Sequence, residues 1–136
     1  MKNILNFLLL IFISNLTSQE RRIIEVKRFD KAPKIDGLLD DDQWSKCVPA
    51  TKFERWQPNN GQTEQPGYEN FVYMGYDDNA IYIGGIFKSP NPIPVEFSQR
   101  DNIWEVNAET FFISINPYDD NTNYQGFQIT SSGTVG

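Results

Sequence analysis

The sequence predicts an all-β chain, whose folded part is expected to be an antiparallel β-sandwich. Segments rich in β-branched and aromatic residues alternate with turns rich in Gly, Pro, Asn and Asp. Short strands at regular spacing, separated by turn signals, are typical of such sandwiches. The sequence shows neither an internal repeat nor a second domain. The predicted strands cover residues 22–29, 51–56, 69–76, 80–87, 107–116 and 124–130.

Residues 1–18 have the pattern of a secretory signal peptide. Lys2 precedes the apolar run 4–13, and a small polar run ends at Ser18. The apolar run is shorter than the roughly twenty residues that span a bilayer. We expect cleavage after Ser18, and an uncleaved anchor is the alternative. The predicted localisation is secreted, periplasmic or outer-membrane associated.

Residues 19–30 are expected to form a leading edge strand, in which Lys and Arg prevent mispairing. A strand–turn–helix corner follows. Asp36-Gly37 predicts the turn, and Asp40 with Gln43 has the spacing of a capping box that starts a short helix near 40–46. The large, mostly apolar side chain of Trp44 is expected to anchor this corner in the core.

The clearest supersecondary element is a hairpin of strands 69–76 and 80–87 around an Asp-Asp-Asn turn. Gly84-Gly85 inside its second strand predicts a bulge or a close approach by another backbone. Segment 107–116 is expected to be the best core strand. Ser131-Ser132-Gly133 predicts a hairpin turn whose partner strand is missing.

Composition excludes several classes of function. The net charge is −6, and it becomes −7 once the predicted signal peptide removes Lys2, its one charged residue. Such acidity argues against nucleic-acid binding and gives no support to binding an anionic membrane surface. The chain has no histidine and one cysteine, Cys47. It therefore has no Ser-His-Asp or Cys-His catalytic set and no His-ligated zinc, and Cys47 is expected to be a small buried hydrophobe.

Five motifs occur in an order that resembles a known family. They are Ile35-Asp36-Gly37 with Asp40 and Trp44, Tyr76 to Gly84, Arg100-Asp101, Phe111 to Asp120, and Gly126 to Thr130 with Gly133. Together they resemble the carbohydrate-binding module of family 9, in the version found at the amino end of large secreted or outer-membrane proteins of the Bacteroidetes type, several of which are described as hydrolases. The resemblance covers residues 31–136.

The resemblance implies a jelly-roll-like β-sandwich that binds polysaccharide or oligosaccharide. The family's domain continues past the Gly133 hairpin, so the carboxy-terminal strands are expected to be missing and the domain 31–136 to be incomplete. A missing carboxy-terminal region would also provide any outer-membrane association. Asn70-Phe71-Val72 stands where the family commonly has Thr-Glu-Val, and Glu69 is the expected substitute for the lost acid.

The candidate carbohydrate-binding residues combine flat aromatic faces with groups that hydrogen-bond hydroxyls. They are Trp56, Glu69, Arg100, Asp101 and Trp104. The alternative for Trp56 is a core or inter-sheet position, and for Arg100-Asp101 it is a structural ion pair. The family's arginine at this point contacts sugar, which favours a binding role for Arg100, whereas Trp104 could equally lie at the rim.

The sequence decides neither whether the chain binds a metal ion nor whether it is catalytic. Acidic turns such as Asp40-Asp41-Asp42, Asp77-Asp78 and Asp119-Asp120 offer the oxygen ligands that calcium prefers. Acidic turns are usually only solvated. The family sometimes carries structural Ca²⁺, so the resemblance leaves such a site open, without assigned ligands. Glycosidase chemistry needs two facing carboxylates, and nothing in the sequence positions Glu69 against Glu109.

The sequence therefore predicts a secreted polysaccharide-binding module at the front of a larger protein of carbohydrate catabolism. Hydrolase activity on O-glycosyl compounds is expected to belong to that parent protein, and this chain alone to be non-catalytic. The alternative is an accessory or interaction domain of an outer-membrane protein with a vestigial sugar site.

Overall fold

The computed structural model describes residues 22–103 and 105–136, which are mostly β with few helical residues. The elements of this part of the chain are β1 Lys27–Arg28, α1 Asp42–Ser45, β2 Asn70–Tyr76, β3 Ile81–Phe87, β4 Thr110–Ile115 and β5 Gln125–Thr130. The chain forms two compact units. The first contains the described residues up to Ala50 together with Val72–Gly84. The second contains Thr51–Phe71 and Gly85–Gly136. The predicted signal peptide lies outside the described residues.

A mixed three-stranded sheet has the order β1-β2-β3. The predicted hairpin is confirmed as β2 and β3. The first strand does lie at a sheet edge, but it covers only Lys27–Arg28 and runs parallel to β2. The expectation of a wholly antiparallel sheet is therefore wrong at this pair. Periodicity identifies a strand but carries no information about the direction of a distant partner.

The corner after β1 is confirmed as a turn and a short helix, but its capping differs from the prediction. Asp41, not Asp40, is the N-cap residue, with extended backbone at φ −70 and ψ 146. Its Oδ2 accepts a hydrogen bond from Lys34 N at 2.9 Å, while Gln43 Nε2 donates to Lys31 O at 3.0 Å. The predicted capping box is wrong because these side chains bond the preceding loop instead of the helix.

The core of the first unit forms around Phe29, Trp44 and Cys47. Trp44 is buried as predicted, and its ring meets Phe29 edge-on at 5.5 Å between centroids. Tyr82 of β3 stacks on the other side of Phe29 at 5.9 Å. The predicted approach of another backbone to Gly84 is wrong, because side chains of the core occupy the space beside it. A Cβ there would lie 2.5 Å from Leu39 Cδ2.

The sheet of the second unit pairs β4 antiparallel with β5. The predicted face of β4 is confirmed, because Phe111, Ile113 and Ile115 are half-buried while the residues between them are exposed. After the Gly133 turn the chain pairs back along β5, where Gly136 N and Gln128 O are 3.0 Å apart. The return strand expected to be missing thus begins within this chain.

The strand predicted at 51–56 is wrong. Its segment contains only an isolated antiparallel bridge between Glu54 and Thr63. Lys52 has φ 57, a left-handed conformation that interrupts an extended strand. Segment 95–103 forms no strand, and a turn lies near Arg100. Within the described part of the chain, no helix has the length and apolarity needed to cross a membrane.

Candidate functional site

Trp56 lies on a polar hairpin of the second unit. Arg55 N donates to Gln62 O at 2.8 Å, and Gly61 N donates back to Arg55 O at 2.9 Å. Gly61 has φ 81, which its lack of a Cβ permits at the tip of this loop. The side chain of Trp56 is 79% exposed. The alternative of a core or inter-sheet tryptophan is therefore wrong, and an aromatic face is available to a ligand.

Glu69 precedes β2 and is held by its own surroundings. Its Oε1 accepts a hydrogen bond from Gly67 N at 3.1 Å, and its Oε2 lies 3.7 Å from Lys88 Nζ. The backbone N–H groups of Gly67 and of Glu69 itself, followed by Lys88, hold the pKa of this carboxyl below its usual value. Lys88 Nζ also lies 5.2 Å from the centroid of the Phe71 ring. Glu69 thus stays charged and half-exposed at the strand end.

Tyr68, the residue before Glu69, is hydrogen-bonded to an amide, and the sequence did not indicate this pair. Asn91 Nδ2 donates to Tyr68 Oη at 2.6 Å, and Tyr68 is 37% exposed. An exposed ring beside an amide has the chemistry of a sugar contact. The signal was absent from the sequence because Asn91 belongs to a proline-rich loop that the fold returns to this place.

Arg100 and Asp101 occupy a tight turn of the second unit. Asn102 N donates to Gln99 O at 3.1 Å, and Asp101 N donates to Val135 O at 3.2 Å. Arg100 Nε lies 4.0 Å from Asp101 Oδ2, with 82% and 77% of the two side chains exposed. An exposed pair at this distance contributes little. The guanidinium therefore keeps most of its donors for another partner.

A cleft of about 410 Å³ opens beside Arg100. It is lined by Ser98, Arg100, Gly133, Thr134 and Val135. Thr134 Oγ1 donates to Ser98 O at 3.3 Å, whereas Ser98 Oγ is enclosed without a hydrogen-bond partner among the described residues. The sequence does not indicate Ser98 and Thr134, because only the return of the chain along β5 brings Thr134 beside the Arg100 turn.

Four of the five predicted residues lie in the second unit, and Trp104 lies outside the described residues. Arg100 and Asp101 are brought together. No hydrogen bond or ion pair among the described residues joins Trp56, Glu69 and Arg100 to one another. The chain thus offers an exposed indole, a fixed carboxylate and a guanidinium at a cleft as separate contact points.

The acidic turns mostly bond their own backbone. Asp77 Oδ1 accepts from Asn79 N and Ala80 N at 2.7 and 2.9 Å, and Oδ2 accepts from Tyr82 Oη at 2.8 Å. The N–H of Asn79, then the Tyr82 hydroxyl and the N–H of Ala80, lower the pKa of Asp77. In the described ranges, no three His, Cys, Asp or Glu side chains lie close enough together to hold a metal ion.

Comparisons with family models, with curated proteins and with solved structures find no match for this chain.

Proposed function

We propose that this chain is a secreted carbohydrate-binding module of the family 9 kind, the front of a larger protein that acts on polysaccharide. In this proposal the two small sheets belong to a jelly-roll-like β-sandwich. Trp56 stacks on the apolar face of a sugar ring, and Arg100, Asp101 and Glu69 hydrogen-bond hydroxyls. Hydrolysis of O-glycosyl bonds belongs to the parent protein.

The 79% exposure of Trp56 carries the proposal. Exposing a large aromatic ring gives up the burial energy that usually places tryptophan inside a protein. A surface tryptophan on a polar hairpin has the flat apolar face and the solvated polar edge that stacking on a pyranose requires. The loop around it is built from the turn between Arg55 and Gln62, which fixes the backbone on both sides of the ring.

The cleft at Arg100 supports the polar half of the proposal. A guanidinium presents several N–H donors in one plane, so it can bond two vicinal hydroxyls at once. Thr134, whose Oγ1 donates to Ser98 O at 3.3 Å, supplies a further hydroxyl to the lining of this cleft. Because all these contacts compete with water, we expect weak affinity for a single sugar site.

The test is depletion of the folded chain from solution by insoluble cellulose, xylan or chitin. We expect at least one glycan to bind, and Trp56→Ala to weaken binding at least about tenfold through loss of the stacking contact. Tyr118→Ala is the matched control, because Tyr118 is an aromatic residue of the same unit with 74% exposure. It should bind as the unchanged chain does.

Two outcomes would contradict the proposal. A chain that is demonstrably folded and is depleted by none of the glycans favours the alternative of an accessory domain with a vestigial sugar site. Equal losses in Trp56→Ala and Tyr118→Ala would show that Trp56 holds no special contact. Release of reducing ends that Glu69→Gln or Glu109→Gln removes would instead indicate an enzyme.

A further inference from the structure

We infer that the outer edge of β4 is a dimer interface, on which β4 of a second copy of this chain adds antiparallel. The sheet of the second unit has the order β4-β5. Among the described residues, no backbone hydrogen bond reaches the side of β4 that faces away from β5. A sheet edge of this kind presents a row of N–H and C=O groups that an extended strand satisfies.

The register of β4 and β5 identifies the residues whose backbone points outward. Ser131 N donates to Glu109 O at 2.8 Å, so Glu109 and every second residue after it bond β5. The backbone groups of Thr110, Phe112 and Ser114 therefore point to the open edge. The far side of β5 agrees with this register. Gln128, which lies opposite Phe112, donates its N–H away from β4, to Gly136 O at 2.9 Å.

β4 lacks the devices that protect an edge. Its six residues, Thr110–Ile115, include no charged side chain and no proline. By contrast, β1 at the edge of the other sheet consists of a lysine and an arginine. β3 is also uncharged, but Gly84 and Gly85 interrupt its side-chain surface and weaken it as a pairing strand.

A two-fold axis at Phe112 makes this edge self-complementary. Outward residues then oppose outward residues, with Phe112 against Phe112 and Thr110 against Ser114, and each such pair exchanges both N–H···O bonds. Between them, Phe111 opposes Ile113 on the half-buried face. The two Phe112 side chains, each 57% exposed in the single chain, contact one another across the axis.

The charges along β4 are also compatible with pairing to a second copy, although the chain carries a net charge of −6. Glu109 is the acidic residue next to β4, and in this register it opposes Ile115 of the partner copy. No carboxylate of one copy faces a carboxylate of the other along the paired strands. The resulting four-stranded sheet continues one apolar face across both copies, which an unrelated extended peptide would match only by chance.

The first test is sedimentation of the full chain over about a hundredfold range of concentration. We expect a reversible dimer, and Phe112→Lys should raise its Kd at least about tenfold, because a charge enters the centre of the edge. Phe97→Lys is the matched control, since Phe97 is 78% exposed in the same unit but lies outside β4. A monomer at every concentration, or a dimer indifferent to Phe112→Lys, would overturn the inference.

The second test does not depend on the folding of Phe112→Lys. Thr110→Cys and Ser114→Cys are exposed single substitutions, and the proposed register brings them together only between copies. An oxidised mixture of equal amounts of the two variants should form the mixed disulfide well above the proportion that random pairing gives. A random distribution of the three products, or none of them, would reject this pairing. The unchanged chain, whose Cys47 is buried, is the control.

Discussion

At the scale of single residues, Gly75 is a packing requirement of the first core. A Cβ at this position would lie 2.0 Å from Phe29 Cζ, much closer than van der Waals contact allows. Phe29 is 2% exposed and has Trp44 and Tyr82 on two sides, so its ring has no free space to enter. Close packing of this kind makes even one added methyl group costly.

We therefore expect Gly75→Ala to lower the free energy of unfolding by about 1–3 kcal/mol. Urea unfolding measures the change as a lower midpoint at unchanged slope. Gly126→Ala is the control, because its Cβ would lie 2.9 Å from Phe112 Cε2, and Phe112 is exposed and can rotate away. Equal destabilisation by the two variants would show that the Phe29 ring adapts as easily as an exposed one.

Tryptophan illustrates what residue-level prediction can decide. Trp44 follows an acidic helix start in a recognisable corner, so its burial could be predicted and is confirmed. Trp56 ends a short segment before a polar loop. The pattern of apolar residues there favours neither a buried nor an exposed position for its side chain. The segment is instead joined to the following loop by a bridge between Glu54 and Thr63, a pairing that no local sequence signal indicates.

At the scale of elements, the connection between β4 and β5 is held by one carboxylate. Asp120 Oδ1 accepts hydrogen bonds from Thr122 N at 3.0 Å and from Asn123 N at 2.9 Å, while Oδ2 accepts from the Asn123 amide. These donors, led by the N–H of Asn123, lower the pKa of Asp120 to about 2. The turn is thus stabilised by the charged form of the side chain.

We expect the carboxyl carbon of Asp120 to titrate with a midpoint of about 2 by NMR. Because the folded pKa lies below the unfolded value, the contribution to stability is full above the unfolded pKa. It is lost as pH falls through the folded pKa. The amides of Thr122 and Asn123 should report the same midpoint, and Asp120→Asn should abolish their transition. A midpoint near the unfolded value would mean that these hydrogen bonds are absent in solution.

The secondary-structure elements could be predicted where the residues that specify them lie close together in the sequence. The hairpin of β2 and β3 is specified by alternation and by Asp77, whose carboxylate caps its own turn. The predicted strand at 51–56 failed because Lys52 adopts a left-handed conformation, which neither its residue type nor its neighbours indicate. The antiparallel direction expected for β1 was also wrong, because its partner Gly75 is distant in the sequence and no local signal sets the direction of their pairing.

At the scale of the whole molecule, the chain contains one cysteine, and it is buried. Cys47 Sγ lies 3.5 Å from Met74 O, inside the core of the first unit. Burial raises the pKa of its thiol, and Lys27 opposes this effect. Both the burial and the raised pKa slow its reaction with a thiol reagent, since the thiolate is the reactive form.

We expect Cys47 to react with an aromatic disulfide reagent only when the first unit opens. In increasing urea its labelling should rise together with the loss of native tryptophan fluorescence. Val48→Cys is the control, because the neighbouring side chain is 66% exposed and a thiol there should react at once in the folded chain. Rapid labelling of Cys47 under native conditions would show that the core opens without global unfolding.

The Arg28–Asp78 ion pair has a consequence for how the chain is made. It joins residues 50 positions apart, beside the hydrogen bond from Phe29 N to Tyr76 O. During synthesis Phe29 leaves the ribosome well before Tyr76 does, so its ring stays exposed to water and to chaperones throughout that interval. Closing so long a loop is also entropically costly, which delays β1 further. A ribosome-arrested chain whose emerged part ends before β2 should therefore be captured by a chaperone that releases a chain whose emerged part extends past Asp78.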